Sequence, residues 1–344
     1  MPLIKHRTIL TVLIFSFTIL LSSCQPVTPT VAPTPTVEPL QPSPTPTPLP
    51  LGSSGNPILI GYYFSEENPA AQPAVEALTA ELDTGTDFSF GAVVYPTIDE
   101  LLAELKAGNV HAAWLQPLTY IYAKTQGIIT VSLLTNHFGT YFYGSQILAN
   151  AENSFTRYYD PQTNTNNGTI DTALAQLDGL RPCWVEPGSI SGYIYPYGLF
   201  RENDIELLPG AFVQSHTAVV RSLYIKGICD FGVTFTHSGD PRTSSAVLSD
   251  LPDADQRVVV LWQSDAAIPN LNFSIIPTLD DDLRKTVSNA LIDLVKTDSG
   301  KEILSQATGN YDIQDLKVVD DSIYDPLRHV IAYAGINVAD WLGR

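Results

Sequence analysis

Apolar positions beyond residue 56 repeat with two different periods, and the two periods alternate along the chain. Short apolar runs have the length of buried strands, and residues spaced for one face of a helix stand between them. Thr97 and Glu100 have the spacing of a capping box that opens one such helix, and Gly108 is placed to end it. The first series predicts strands at residues 58–64, 88–95, 110–115 and 128–134.

A second alternating series begins near residue 181. It predicts strands at residues 182–185, 206–208 and 229–235, with helices from about residue 191 and over residues 217–225. The extended stretches 141–149 and 257–264 would cross between the two series. Helices over residues 281–296 and 325–334 would return to the first series. We therefore predict an α/β fold of two lobes, with ligands bound where strands end and helices begin.

The first residues predict a targeting segment. Lys5, His6 and Arg7 precede an apolar run over residues 9–21, which is too short to span a bilayer comfortably. The small residues before Cys24 resemble the lipobox of bacterial lipoproteins, in which this cysteine is lipidated. An ordinary signal peptide with a chance cysteine is the alternative. We predict a lipoprotein signal peptide at residues 1–23 and lipidation at Cys24.

Residues 24–56 are rich in proline and threonine, a composition that favours extended polyproline conformations and cannot bury a core. This segment is expected to be a linker that holds the folded part outside the membrane. The whole chain has 18 Lys and Arg against 36 Asp and Glu, a formal net charge of −18. That balance argues against nucleic-acid binding. The His and Cys residues show no metal-binding spacing.

Four stretches together resemble the phosphate/phosphite/phosphonate solute-binding family, which includes the phosphonate-binding proteins. They are LAELKAGNVHAAWLQP at residues 102–117, EPGSISGYIYP at 186–196, SHTAVV at 215–220 with KGICDFG at 226–232, and VLWQS at 260–264 followed by Ile268-Pro269. The resemblance implies a type II periplasmic-binding-protein fold with two extended hinge crossovers. Lobe 1 would comprise residues 57–140 plus 265–344, and lobe 2 residues 141–264.

Ser189 and Ser191 bracket a predicted helix start, where hydroxyls, free backbone N–H groups and the helix dipole favour an anion without Lys or Arg. Gly192 would let the backbone approach an oxyanion closely. Ile190 stands where the family often has threonine, so one hydroxyl is missing. Plain helix capping is the alternative role of both serines.

His216 also stands at a predicted helix start, which favours a neutral ring that donates one N–H. The family places a ligand-contacting histidine there, whereas a lone histidine is more often structural. Gln116, at a strand end, and Tyr143, in a crossover, are further candidate ligand contacts. Each could instead be a packing residue.

The sequence departs from relatives that bind aminoalkyl phosphonates. Those relatives carry aromatic residues near the positions of Ile98 and Leu115, and an acidic residue just after Ile-Pro. Here Asn270 and Asn272 follow instead, so an amine-bearing ligand is not expected. Either asparagine could bind a neutral polar ligand.

Cys183 and Cys229 form an even pair once Cys24 is assigned to lipid. In the fold implied by the resemblance, their strands are parallel neighbours. Equivalent positions on such strands are within disulfide range, so we predict a Cys183–Cys229 bond. Two free buried thiols are the alternative.

We therefore expect a monomeric, lipid-anchored extracytoplasmic protein that captures a phosphonate, phosphite or phosphate for an ABC importer. It would need no cofactor and no metal. A sulfonate, nitrate or thiamine precursor could be the ligand instead, or the protein could be a sensor for a membrane kinase. An enzyme is disfavoured, because Gly188 and the residues after it lack the Gly-x-Ser-x-Gly spacing of a nucleophile elbow.

Overall fold

The computed structural model describes residues 48–64 and 71–341, and these form two mixed β-sheets and one small two-stranded antiparallel sheet, with helices packed around them. The strands are β1 (Ile58–Tyr63), β2 (Phe90–Tyr95), β3 (Ala112–Leu115), β4 (Thr130–Asn136), β5 (Phe142–Asn150), β6 (Tyr159–Asp160), β7 (Thr165–Asn166), β8 (Pro182–Trp184), β9 (Ala211–Phe212), β10 (Phe231–Thr236), β11 (Val258–Gln263), β12 (Ile268–Pro269), β13 (Asn272–Ile275) and β14 (Asp315–Val318).

The helices are α1 (Ala71–Gly85), α2 (Ile98–Ala107), α3 (Pro117–Thr125), α4 (Ile170–Ala175), α5 (Tyr195–Glu202), α6 (His216–Ile225), α7 (Ser245–Leu248), α8 (Ala254–Arg257), α9 (Asp281–Leu294), α10 (Asp298–Ala307), α11 (Asp325–Ala334) and α12 (Val338–Trp341). A π-helical turn, Ile190–Ile194, runs directly into α5. None of the helices in the described ranges is long and apolar enough to cross a membrane.

The first sheet has the strand order β14-β4-β13-β3-β1-β2. Strands β1, β2 and β3 are parallel, whereas β13 runs antiparallel between β3 and β4. The Thr97 half of the predicted capping box is present at α2, where Thr97 Oγ1 accepts the Glu100 N–H at 3.2 Å. Gly108 ends the helix in the left-handed conformation, with φ at 76°.

The second sheet has the order β11-β5-β10-β8-β9. Its three strands β10, β8 and β9 are parallel to one another, and β5 and β11 are antiparallel neighbours. Because parallel strands end at one edge, the helices that follow β8 and β9 begin side by side. Those helix starts are the π-helical turn and α6.

One predicted strand is wrong. Residues 206–208 form no strand, and pairing with β8 begins only at Ala211, opposite Cys183. Pro209 and Gly210 intervene, and Gly210 lies so close to Trp184 that a Cβ there would stand 2.4 Å from Nε1. The chain therefore reaches the edge of β8 later than the apolar pattern indicates.

The predicted crossovers are strands of the second sheet for most of their length, as β5 and β11. The chain passes between the sheets at residues 137–143 and 264–271. These two segments pair antiparallel through β12 and β5, with Ile268 opposite Tyr143 and Pro269 opposite Phe142. The connection is thus a short two-stranded ribbon.

The C-terminal helices do not all return to the first sheet as expected. Helices α9 and α10 pack on α1, but α11 packs closely against α5, which follows β8 of the second sheet. Gly198 allows this approach, because a Cβ there would stand 2.3 Å from the carbonyl oxygen of Val330. Arg328 of the same helix also binds Asp321, whose carboxylate accepts the Tyr120 hydroxyl from α3. Helix α11 therefore contacts both halves of the fold.

The predicted Cys183–Cys229 disulfide is present, with a Cα–Cα distance of 5.5 Å. The two cysteines are not at equivalent positions, however. Cys183 lies opposite Gly232, and Cys229 precedes β10 by two residues. The bond therefore ties β8 to the loop before β10 rather than joining two strand interiors.

The α5–α11 contact predicts that Gly198→Ala destabilises the fold. An added methyl group would meet the Val330 carbonyl, and overpacking of this kind costs about 1–3 kcal/mol. Gly85→Ala in α1 is the matched control, because a Cβ there meets nothing within 4 Å and alanine favours a helix. Urea unfolding of both variants measures the difference. Equal stability of the two would contradict close packing at Gly198.

Candidate functional site

A cavity of about 260 Å³ lies between the two sheets, beside the ribbon that joins them. Six of the seven ligand-binding residues expected from the sequence line it: Gln116, Tyr143, Ser189, Ile190, Ser191 and His216. Asn270, which the sequence indicated as a possible contact for a neutral polar ligand, also lines the cavity. The lining is completed by residues not proposed beforehand as ligand contacts: His137, Phe138, Phe235, Ser238, Pro269 and Tyr311. Gly192 is the expected residue that is not part of the lining.

Ser189 and Ser191 occupy the start of the π-helical turn. Ser189 caps this turn, since its Oγ accepts the N–H of Gly192 at 3.1 Å. A hydroxyl that accepts one hydrogen bond still has a proton to donate, so capping and ligand contact are compatible at Ser189. Ser191 is 4% exposed, and its carbonyl accepts the Ser145 hydroxyl of β5 at 2.8 Å. That bond fixes the helix start against the second sheet.

The backbone at this turn adds further donors. Among the described residues, the N–H groups of Ile190 and Ser191 have no acceptor. These are first-turn amides, which a helix leaves unpaired, and the helix dipole makes their surroundings favourable for an anion. The loss of a threonine hydroxyl at Ile190 therefore leaves the amides in place.

Gly192 has a packing role at this turn. A Cβ at this position would stand 2.4 Å from Val185 Cγ2 and 2.7 Å from Ser189 Oγ. Glycine is thus required so that the turn can pack on the end of β8 and Ser189 can cap it. Its effect on the cavity is indirect.

His216 is the first residue of α6, and its ring is fixed by β10. The backbone N–H of Phe235 donates to Nδ1 at 3.3 Å, and the two rings meet edge to face with centroids 4.8 Å apart. Since Nδ1 accepts, the neutral ring carries its proton on Nε2. Burial lowers the pKa of His216 to about 4, which keeps the ring neutral at physiological pH. His216 therefore offers one N–H donor.

Gln116 and Tyr143 approach the cavity from other elements. Gln116 precedes α3 and makes no capping bond with its side chain, so its exposed amide is free to contact a ligand. Tyr143 belongs to the ribbon between the sheets. Burial raises the pKa of its phenol, which is therefore a neutral hydroxyl donor.

The wall contributed by the first sheet is aromatic and was not foreseen. His137 stacks on Tyr311 with ring centroids 4.0 Å apart, and Phe138 lies 4.2 Å from His137. Phe138 sits in the tight turn between β4 and β5 with φ at 48°, followed by Gly139 at 85°. The histidine in the turn after β4 is the sequence signal that could have indicated this part of the wall. Tyr311 is far from it in sequence, and only the tertiary fold brings the two rings together.

No Asp, Glu, Lys or Arg side chain is among the residues that line this cavity. Within the described part of the chain, no cluster of His, Cys, Asp and Glu could hold a metal ion either. The arrangement instead collects neutral donors from hydroxyls, an imidazole, an amide and backbone N–H groups. It is suited to binding a small oxyanion by hydrogen bonds.

This fold, with its cavity between two mixed sheets at the starts of helices, defines a type II periplasmic binding protein. The profile of a family described as "ABC transporter, phosphonate, periplasmic substrate-binding protein" matches residues 60–324. The chain therefore belongs to this family, whose members are extracytoplasmic solute-binding proteins and not enzymes. No curated protein sequence matches the chain.

Several solved structures share the fold at low sequence identity. A binding-protein component of an ABC phosphonate transporter from Pseudomonas aeruginosa is 17% identical, with a TM-score of 0.50 over 81% of this chain and 86% of that one. PhnD1 from Prochlorococcus marinus, in complex with methylphosphonate, is 14% identical, with a TM-score of 0.52 over 79% and 96%. A Xanthomonas citri protein bound to ATP is 13% identical, with a TM-score of 0.56 over 82% and 98%.

The environment of His216 predicts a pH-dependent contribution to stability. The pKa of about 4 in the folded protein is below the ordinary value of about 6.5, so the unfolded chain binds the proton first as pH falls. His216 should therefore destabilise the fold progressively between about pH 6.5 and 4, by up to about 3 kcal/mol. Above pH 6.5 this contribution should be constant.

Urea unfolding of the wild type and His216→Gln at pH 7, 5.5 and 4 tests this expectation. Glutamine does not titrate, so the difference in unfolding free energy between wild type and variant should shift against the wild type on acidification. A difference that stays constant across this range would show that His216 is not a buried neutral ring.

Proposed function

We propose that this solute-binding protein is lipid-anchored and captures a phosphorus oxyanion, a phosphonate, phosphite or phosphate, for an ABC importer. The observation that carries the proposal is the meeting of two helix starts, at Ser189–Ser191 and at His216, on one cavity without charged side chains. Family membership supports the transport role.

A tetrahedral oxyanion matches the donors of this cavity. Its oxygens can accept from the hydroxyls of Ser189 and Ser191, from the amides of the same turn, and from Nε2 of His216. Hydrogen bonds to a charged partner are stronger than bonds between neutral groups, and helix starts bind phosphate groups without lysine or arginine. Gln116 and Tyr143 would contact the ligand from the side of the first sheet and the ribbon.

Capture would involve both halves of the fold. We propose that residues 57–140 plus 265–344 act as one lobe and residues 141–264 as the other, hinged at the ribbon of β5 and β12. Helix α11 is an exception to this division, because it belongs to the first lobe by sequence but packs on α5 and would move with the second lobe. Closure would exclude water from the anion and so strengthen the hydrogen bonds to it.

The proposed anchor is Cys24, at the end of the predicted signal peptide. This residue lies outside the described part of the chain, so the proposal rests on the sequence alone. Some 30 residues of extended Pro/Thr-rich linker, at about 3.1 Å per residue, would let the folded part work at a distance from the membrane surface.

The anion site predicts that Ser191→Ala and His216→Ala weaken binding by roughly 10- to 100-fold. Each variant removes one buried hydrogen bond to a charged group, which contributes about 1.5–3 kcal/mol. Calorimetric titration of the soluble domain with phosphate, phosphite and methylphosphonate measures the effect, with sulfate and methanesulfonate as competing oxyanions. Ser222→Ala is the control, because this buried serine of α6 is not part of the cavity lining.

Wild-type affinity in both site variants would overturn the placement of the anion. Binding of the sulfur oxyanions alone would overturn the proposed ligand class while leaving the site intact.

The hinge predicts that saturating ligand reduces the radius of gyration of the folded domain. The reason is that the cavity is bounded by both sheets, which are joined through a narrow ribbon. Small-angle X-ray scattering with and without ligand measures the change, and the Ser191→Ala variant at the same ligand concentration is the control. An unchanged radius in a ligand-saturated wild type would contradict closure.

A further inference from the structure

Asn270 presents a fixed hydrogen-bond acceptor to the cavity. This residue is 2% exposed and follows β12. Its side-chain nitrogen Nδ2 donates to the carbonyl of Thr140 at 2.7 Å and more weakly to that of Thr135 at 3.4 Å. Among the described residues none donates to its oxygen Oδ1. Since Asn270 lines the cavity, Oδ1 is left for whatever the cavity holds.

The orientation of this amide is determined by its partners. Reversing it would bring Oδ1 against two backbone carbonyls, which are acceptors only, and would lose both hydrogen bonds. Asn272, the other asparagine of this stretch, differs: its Nδ2 donates to Leu115 and its oxygen accepts the Ser274 hydroxyl. Only Asn270 of the two is therefore available to a ligand.

His137 supplies a second acceptor on the same wall. Its Nδ1 lies 2.8 Å from the carbonyl oxygen of Asp312, which can only accept, so Nδ1 carries the proton. In the neutral ring, Nε2 is then a lone-pair acceptor. The wall contributed by the first sheet is thus acceptor-bearing, whereas the Ser189–Ser191 turn and His216 supply donors.

No charged side chain lines the cavity, and this determines which kind of ligand donor these two acceptors could bind. An ammonium group would be buried without a carboxylate to pair with, and an unpaired buried charge is strongly unfavourable. A purely apolar substituent would leave the Asn270 oxygen unpaired and desolvated. A neutral hydroxyl avoids both costs.

Building on the proposed function, we propose that the ligand is a phosphorus oxyanion whose organic substituent carries a neutral hydrogen-bond donor, a hydroxyl group, and that Asn270 Oδ1 accepts this hydrogen bond. The oxyanion binds at the Ser189–Ser191 turn and His216. The substituent crosses the cavity to the wall of Asn270 and His137. Asn270 is then a specificity-determining residue that selects hydroxyalkyl over alkyl and aminoalkyl phosphonates.

Calorimetric titration of the wild-type folded domain with three matched probes tests the proposal: 2-hydroxyethylphosphonate, ethylphosphonate and 2-aminoethylphosphonate. One hydrogen bond between neutral groups corresponds to roughly a 3- to 10-fold preference for the hydroxyl over the ethyl compound. The amine should bind at least about tenfold more weakly than the hydroxyl compound. Equal binding of the hydroxyl and ethyl compounds, or tightest binding of the amine, would overturn the inference alone. Failure of all three to bind would overturn this inference, and failure of phosphate and phosphite as well would overturn the proposed function itself.

Asn270→Ala assigns the preference to this residue. The variant should bring the hydroxyl-to-ethyl affinity ratio close to one, and its affinity for ethylphosphonate serves as the internal control for a folded, anion-binding domain. His137→Phe, which keeps a ring beside Tyr311, is the second variant and should retain the preference. If His137→Phe abolishes the preference and Asn270→Ala keeps it, the assignment to Asn270 is wrong.

Discussion

The parallel arrangement of β8, β9 and β10 is the constraint on which the binding half of the cavity depends. Because the three strands run in one direction, their carboxyl ends meet at one edge, and the segments that follow them converge there. The turn of Ser189 follows β8, and α6 with His216 follows β9. The end of β10 contributes Phe235, whose N–H holds the imidazole. The disulfide fixes β8 to the loop that leads into β10 at the opposite end.

The proposed anion site has no charged side chain, and two of its residues are held in place by neighbouring groups. His216 cannot gain a proton on Nδ1 without losing the Phe235 bond, so the ring stays a donor through Nε2. The carbonyl of Ser191 accepts the Ser145 hydroxyl, and this bond does not use the Ser191 hydroxyl. The net charge of −18 lies elsewhere on the chain, and it disfavours anion approach at long range. Short-range donors therefore have to supply the affinity.

Sequence patterns could predict the structural features that depend on residues close together in the sequence. The helix starts at Ser189 and His216 are local, since each follows a strand and precedes a helical run of apolar residues. β13 was missed because its four residues include buried Asn272 and Ser274, which do not look like strand interior. The packing of α11 on α5 depends on Gly198 meeting Val330, which are far apart in sequence. Tyr311 reaches the cavity for the same kind of reason, through tertiary contacts that no local pattern encodes.

Asn270, which is proposed to contact the ligand substituent, also joins the two passages between the sheets. The backbone N–H of Asn270 donates to Tyr141, and its side chain donates to Thr140, so both groups join one passage between the sheets to the other. In the proposed site, ligand recognition and the connection between the sheets would therefore be coupled at Asn270. A ligand that donates to Asn270 Oδ1 would bind an amide whose Nδ2 is already hydrogen-bonded to the opposite passage. That hydrogen bond limits how far the amide, and with it Oδ1, can rotate toward the ligand. An acceptor whose amide is held by two backbone carbonyls discriminates better than one on a free loop, because turning the amide toward a mismatched substituent would break those hydrogen bonds. Selectivity in the proposed site would then depend on the His216 Nε2 donor and the Asn270 Oδ1 acceptor, whose directions are set by backbone partners rather than by charge.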